Sequence, residues 1–155
     1  MSVTAPATVS LDKPLRELAA LQSFVLDHPR LFVLTGAGCS TASGIPDYRD
    51  AGGAWKRKPP VTIQAFRDNA LTRARYWARS FVGWPYFGHA QANAAHHALT
   101  ALQTHGRIAR LLTQNVDRLH QKAGTREVID LHGRLDEVIC LSCGLREERE
   151  AYQQT

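Results

Sequence analysis

The sequence predicts an α/β fold in which helices flank a sheet of buried parallel strands. Two apolar runs, at 31–34 and 107–113, are rich in strand formers and have the hydrophobicity of strands covered on both faces. Apolar residues recur near helical spacing at 14–28 and 91–105. Because strands that alternate with helices pack as a parallel sheet under helical layers, these runs predict an α/β domain.

The composition is that of an ordinary globular protein. The 155 residues carry a net charge of +5, with 44% hydrophobic and 21% charged residues. No apolar stretch reaches the ~20 residues that span a bilayer, so we expect no membrane partner. The N-terminus lacks an apolar signal segment and the three cysteines fit a reducing compartment, so we expect a cytoplasmic protein. Scattered basic residues argue against a nucleic-acid partner, and a phosphate-bearing small molecule explains the charge equally well.

The first part of the chain is predicted to lead from a flexible segment into the sheet. Residues 1–13 form that lead-in, and a helix at 14–28 feeds the first strand. Prolines and glycines then give 45–61 the composition of a mobile loop. A long polar loop beside a glycine turn is either a plain connector or a lid over a ligand.

The middle of the chain is predicted to be helical with one interruption. One or two helices occupy 62–81, and Gly83, Pro85 and Gly88 are expected to break them. The aromatic residues of this break are expected in the core rather than at a ligand. Another helix follows at 91–105. Its two adjacent histidines point about 100° apart, which predicts a structural role rather than a shared metal ion.

The last third supplies further extended segments. The strand at 107–113 is followed by a short helix at 117–123, a third strand at 128–131 and a fourth extended piece at 135–140. The glycine turn, residues 114–117 and the pair His132–Gly133 all follow strands. Ligands of open α/β sheets bind at the carboxyl ends of strands, so these polar clusters are candidate site residues.

The glycine turn is the first candidate site. Glycines at 36, 38 and 44 directly follow the first strand, and glycine can take a positive φ and bring backbone N–H groups close to a phosphate. Ser40, Thr41 and Ser43 are candidate caps for a following helix. The glycine spacing departs from the usual dinucleotide fingerprint, so a tight turn without a ligand fits these residues equally well.

Three segments in this order resemble the sirtuins, which are NAD-dependent protein-lysine deacylases. The matching segments are GAGCSTASGIPDYRD, TQNVDRLH and DLHGRLDEVICLSCG, and the likeness runs from Gly36 to Gly144. The stretch RARYWARSFVGWPYF is similar to the class II branch, which includes a member with lipoamidase and ADP-ribosyltransferase activities.

The resemblance implies a Rossmann-like NAD-binding domain over 14–139 and a role for each matched residue. His132 would be the catalytic base, which accepts a proton from an NAD ribose hydroxyl, a role that suits an imidazole near neutral pH. The acyl-lysine substrate displaces nicotinamide in that family. The residues implied to bind NAD are Gly36, Ala37, Gly38, Ser40, Thr41, Asp47, Tyr48, Arg49, Gln114, Asn115, Val116 and Asp117.

The resemblance also implies a structural zinc site, of which this chain carries half. Cys140 and Cys143 match the first cysteine pair, within a module at 140–155, and a second pair does not follow. Two thiolates alone bind zinc weakly, and Cys39 is not expected to be a third ligand. The later part of the family's sheet is missing as well, so we expect an incomplete sheet whose exposed edge favours self-association.

Two functions therefore remain open for this chain. The family activity is NAD-dependent protein deacylation, with the lipoamidase or ADP-ribosyltransferase variants of the class II branch. Because the second half of the family domain is missing, a catalytically incomplete fragment that binds NAD weakly is the alternative.

Overall fold

The α/β fold predicted from the sequence is confirmed by the computed structural model, which describes residues 12–50, 52–56 and 59–154, without the side chains of 12–14. The elements in chain order are α1 (Asp12–Asp27), β1 (Leu31–Thr35), a 3-10 helix (Ala37–Ser43), α2 (Ile63–Asp68), α3 (Ala70–Gly88), α4 (Ala94–Thr104), β2 (Ile108–Thr113), α5 (Leu119–Lys122), β3 (Ile129–Asp130), β4 (Glu137–Ile139), β5 (Arg146–Glu148) and α6 (Arg149–Gln153).

The main sheet has three parallel strands in the order β1-β2-β3. Thr35 at the end of β1 pairs with Thr113 at the end of β2, and Thr113 pairs with Asp130 at the end of β3. The three strands therefore end level with one another. The turn after β1, the segment after β2 and the segment after β3 all begin at one edge of this sheet.

The centre of the molecule lies beside β2. Leu111 of β2 and Leu119 of α5 are fully buried, and Leu119 packs in a small cluster with Ile45 and Ala90. By contrast, Phe32 and Leu34 of β1 are 67% and 54% exposed. The structure therefore has an apolar outer face on β1. An incompletely covered sheet was expected to expose such a face. Self-association through this face stays a prediction.

The predicted helix break at 82–88 is wrong, because α3 continues through Gly88 with Pro85 inside it. Proline removes the N–H that would bond the carbonyl four residues earlier, here that of Phe81. The Nε2 of Gln153 donates to that carbonyl over 3.0 Å instead. A side chain from α6 thus replaces the missing backbone donor, and sequence spacing alone does not reveal it.

The fourth extended piece does not join the main sheet. Its strand β4 pairs antiparallel with β5, and the two form a separate hairpin over 137–148 that we call the cysteine hairpin.

Of the predicted lead-in, 1–11 lie outside the described residues, and 12–13 already belong to α1. No helix among the described segments is both long and apolar enough to cross a bilayer.

Candidate functional site

A cavity of about 720 Å³ lies at the edge where the three parallel strands end. Its walls combine the turn after β1, the loop that follows it, the segment after β2 and the histidine after β3. Its lining residues are Ala37, Gly38, Ser40, Ile45, Asp47, Tyr48, Arg49, Trp55, Pro60, Phe87, Gln114, Asn115, Val116, Asp117 and His132. We call this space the first cavity.

The turn after β1 is a 3-10 helix, and its glycines do not all need positive φ. Gly36 has φ −137°, whereas Gly44 ends the turn at φ +84°. A Cβ placed on Gly36 or Gly38 would meet no atom of the described residues within 4 Å. Gly38 therefore leaves open space in the wall of the first cavity, and its lack of a side chain is not required by packing within the chain.

The predicted capping role of the hydroxyl residues in this turn is wrong. The residue before the 3-10 helix is Gly36, so no side chain caps it. Thr41 Oγ1 donates back to the Gly38 carbonyl over 2.9 Å, and Ser43 Oγ accepts from Asn93 Nδ2, also over 2.9 Å. Ser40 instead points inward, where it is 1% exposed.

Ser40 joins the turn to the segment after β2. Its hydroxyl donates to Asp117 Oδ2 over 2.7 Å and accepts from Asn115 Nδ2 over 3.0 Å. The same Nδ2 donates to the Gly36 carbonyl over 3.0 Å. These buried bonds hold the carboxamide and the carboxylate at fixed positions in the cavity wall, so the site is organised before any ligand binds.

The loop over the first cavity is closed by a cation–π contact. The guanidinium of Arg49 lies 3.8 Å from the ring centroid of Trp55 and donates to the Gly53 carbonyl over 2.7 Å. Lys56 Nζ lies 2.5 Å from Asp47 Oδ1. Trp55 was not among the predicted site residues, although a tryptophan between glycines and a basic cluster is the sequence signal that could have identified it.

His132 lines two cavities. It is exposed and lines the first cavity and also a second cavity of about 450 Å³. The second cavity is walled largely by apolar side chains, among them Val61, Ile63, Phe66, Trp77 and Leu135. One imidazole therefore lines both cavities.

Ion pairs on both sides of His132 fix its segment. Arg118 pairs with Asp130, just before the histidine, and its Nε lies 3.4 Å from Asp136 Oδ2, just after it. Arg134 adds two bonds to Asp136, of 2.6 and 2.7 Å. Partial burial would raise the pKa of Asp136, but its hydrogen bond to Arg134 and the nearby guanidinium charges hold that pKa below its ordinary value.

The structure brings most of the predicted site residues together. Of those implied to bind NAD, Gly36 and Thr41 do not line the first cavity, and Gly36 contributes its carbonyl to Asn115 instead. Phe87 was expected in the core. It does pack against the apolar cluster of Ile45, and it also lines the cavity.

The two adjacent histidines of α4 point in different directions, as their helical spacing predicts. His96 is fully buried and His97 is exposed. His96 Nδ1 accepts from the Asn93 backbone N–H over 3.2 Å, which completes a capping box at the start of α4. Burial lowers the pKa of His96, despite an opposing effect of Asp117, so its ring is neutral near pH 7.

The cysteine pair lies in the turn of the cysteine hairpin. Cys140 and Cys143 are both exposed and free. The backbone N–H groups of Cys143 and Ser142 donate to the sulfur of Cys140 and lower its pKa. Gly144, at φ +75°, closes the turn with a 2.9 Å bond to the Cys140 carbonyl. Such N–H donors stabilise a thiolate, which is the form that binds metals.

Comparison with known proteins assigns this chain to a family. The Sir2 family model matches residues 36–155. An NAD-dependent protein deacetylase of Bordetella pertussis is 61% identical over 94% of this chain and 53% of its own length. One of Xanthomonas axonopodis pv. citri is 63% identical over 90% of this chain and 48% of its own.

Solved structures agree with this match. A mutant Sir2 homologue in complex with ADP-ribose has 38% identity and a TM-score of 0.72, covering 83% of this chain and 52% of its own. A Sir2 bound to an acetylated peptide has 31% identity and a TM-score of 0.71, covering 86% and 52%. This chain thus spans about half the length of the relatives that it matches. The family model, the high identities and the shared fold together show that the chain belongs to the Sir2 family.

Proposed function

We propose that this chain carries the NAD-binding and catalytic-base part of an NAD-dependent protein-lysine deacylase. The observation that supports this most directly is the position of His132, which lines both the first and the second cavity. A base that serves two substrates must reach both of them, and His132 is the lining residue that the two cavities share. The relatives named as NAD-dependent protein deacetylases support the same activity.

The first cavity fits the nicotinamide and ribose side of NAD. Gly38 keeps its wall free of a side chain, so backbone can approach a phosphate closely. Asn115 and Asp117 are held in place by Ser40 and offer amide and carboxylate groups to a carboxamide ligand. When bound, NAD supplies a ribose carbon with nicotinamide as its leaving group. The loop that carries Arg49 and Trp55 would exclude water from the bound NAD.

The second cavity fits the side chain of an acyl-lysine. Its apolar walls match the methylene chain of lysine and a short acyl group, which lose water on binding. A relative solved with an acetylated peptide supports this class of substrate. His132, exposed and lining both cavities, would accept a proton from a hydroxyl that lies within hydrogen-bond reach. Arg118, Asp130 and Asp136 would keep the imidazole segment in place.

The cysteine hairpin fits half of a structural zinc site. Cys140 and Cys143 lie in one turn with N–H groups directed to the sulfur of Cys140, and would supply two of the four ligands that zinc takes.

We also propose that the protein is cytoplasmic. The free cysteines at 39, 140 and 143 support this proposal, because thiols stay reduced in the cytoplasm.

The test is nicotinamide release from NAD by the purified chain with an acetyl-lysine peptide. We expect release that depends on the peptide, and that falls at least about 100-fold in His132→Ala, as loss of a general base does. His97→Ala is the matched control, because His97 is exposed on α4, away from both cavities. Equal release by wild type and His132→Ala would refute the role of His132. No release by the wild-type chain would favour the incomplete-fragment alternative.

A further inference from the structure

Three potential metal ligands meet behind the wall of the first cavity, although they are far apart in the sequence. They are Cys39 in the 3-10 helix, His96 on α4 and His120 on α5. One ligand atom from each lies within 4.8 Å of those of the other two. Cys39 Sγ is 3.9 Å from His96 Nε2, and the two histidine ring centroids are 4.7 Å apart. Neither histidine is more than 1% exposed.

His120 is held as metal-ligating histidines are held. Its Nε2 lies 2.9 Å from Thr35 Oγ1, and the Thr35 hydroxyl directs its proton away from the ring, toward Thr113 Oγ1 at 2.9 Å and the Leu112 carbonyl at 3.5 Å. We therefore assign the proton of the bond to Thr35 to Nε2 of a neutral ring, which leaves a lone pair on Nδ1. That Nδ1 is buried and has no hydrogen-bond partner among the residues that the structure describes. A buried acceptor without a partner is costly, whereas a metal would satisfy it while Thr35 fixes the ring from behind.

From this arrangement we propose that Cys39, His96 and His120 form a binding site for a thiophilic divalent cation, with Zn²⁺ as the best fit. Zinc takes thiolate and imidazole ligands, and sites with three protein ligands leave a fourth position to water. Burial lowers the pKa of both histidines, that of His120 to about 4, so neither ring carries a second proton that the metal would have to displace. Binding releases one proton, from the Cys39 thiol.

His96 must exchange one contact for another when the metal binds. At present its Nδ1 accepts from the Asn93 N–H, so the ring proton is on Nε2, which faces Cys39. Coordination through Nε2 moves that proton to Nδ1 and breaks the bond to Asn93. The site therefore binds more weakly than one in which all three ligands are preformed, and filling it loosens the capping box of α4.

The consequence of binding follows from the position of Cys39. It lies between Gly38 and Ser40, which both line the first cavity, and its carbonyl already accepts from Asn93 Nδ2 over 2.9 Å. A metal would tie this turn to α4 and α5. Metal binding at the proposed site would therefore control the position of the turn that lines the first cavity. The site is separate from the cysteine pair of the hairpin.

The experiment uses the whole chain in which Cys140→Ser and Cys143→Ser remove the hairpin thiols. Co²⁺ is titrated as a spectroscopic substitute for Zn²⁺, and bound Zn²⁺ is counted after gel filtration. We expect one metal per chain, a thiolate-to-cobalt absorption band, and protection of Cys39 from alkylation by Zn²⁺. Cys39→Ser should abolish the band, and His120→Gln should weaken binding at least tenfold. His97→Gln, next to a ligand but exposed, should bind like the parent.

The proposal is overturned if the parent chain binds no stoichiometric Zn²⁺, or if the cobalt band survives in Cys39→Ser. It is also overturned if Zn²⁺ leaves the alkylation rate of Cys39 unchanged. Circular dichroism of each variant without metal checks its fold. If His120→Gln does not fold, the decision rests on Cys39→Ser, which exchanges one atom of a partly exposed side chain.

Discussion

The turn at 36–44 and the cysteine hairpin are held in place by different interactions. Around the turn at 36–44, Ser40, Thr113 and Asn115 are at most 9% exposed and bond to one another or to the neighbouring strands. In the cysteine hairpin, Leu141 and Leu145 are 53% and 61% exposed, and the strands are joined by backbone pairing and one exposed ion pair. The turn is therefore held by buried hydrogen bonds, whereas the hairpin has exposed leucines and little buried structure of its own.

The largest expected difference between the two regions comes from their leucines. Leu111 of β2, which pairs with Val33 of the strand that leads into the turn, is fully buried, so Leu111→Ala leaves a cavity and should cost about 2–5 kcal/mol of the free energy of unfolding. Leu141→Ala removes a half-exposed side chain and should change it by less than about 0.5 kcal/mol. Urea unfolding of both variants measures this, and similar losses in the two would contradict the contrast.

A smaller effect is expected from the serines. Ser40→Ala leaves the Asp117 carboxylate and the Asn115 amide each short of a buried partner, which should cost about 1–3 kcal/mol. Ser142→Ala, in the exposed turn of the hairpin, should stay within about 0.5 kcal/mol. The same unfolding assay compares them, and an unchanged Ser40→Ala would show that the buried network does not hold the turn.

The ion pairs beside His132 should contribute less. Asp136→Asn should cost about 1 kcal/mol or less, because the carboxylate is partly solvated. Its folded pKa lies below the ordinary 3.8, so this stabilisation is fully present above that pH and is lost as the pH falls through the folded value. Unfolding midpoints of wild type and variant should therefore converge in acid, and a constant difference down to low pH would contradict this.

The smallest effect is expected in the hairpin itself. With a chelator present, Cys140→Ser with Cys143→Ser should change the free energy of unfolding by less than about 0.5 kcal/mol, since both side chains are exposed. A larger loss without metal would show that the thiols themselves hold the hairpin.

Sequence reasoning succeeded where the chemistry is local to a strand end. The strands at 31–34 and 107–113 and the polar residues that follow them could be predicted because apolar runs and glycines leave clear patterns. It failed where a distant residue decided the outcome. Gln153 supplies the hydrogen-bond donor that allows α3 to continue past Pro85. The residues close to Pro85 in the sequence do not indicate this contact.

The same reason explains what was missed in the candidate site. Trp55 and Phe87 reach the first cavity only because the loop and α3 fold over the strand ends. Cys39, His96 and His120 occur in three separate motifs, and each has an ordinary explanation when taken singly. Their meeting depends on how the 3-10 helix, α4 and α5 pack together, which the spacing of residues along the chain does not encode.

The central claim is that the cavity at the three strand ends is the NAD site, and Gly38→Ala tests it most directly. Within the described part of the chain, a Cβ at Gly38 meets no atom within 4 Å, so this variant should unfold at the same urea concentration as wild type. Gly44→Ala should instead destabilise the fold, because Gly44 has φ +84°. NAD titrated by calorimetry should bind Gly38→Ala at least tenfold more weakly than wild type, a loss of about 1.4 kcal/mol. Equal affinity in the folded variant would contradict the claim.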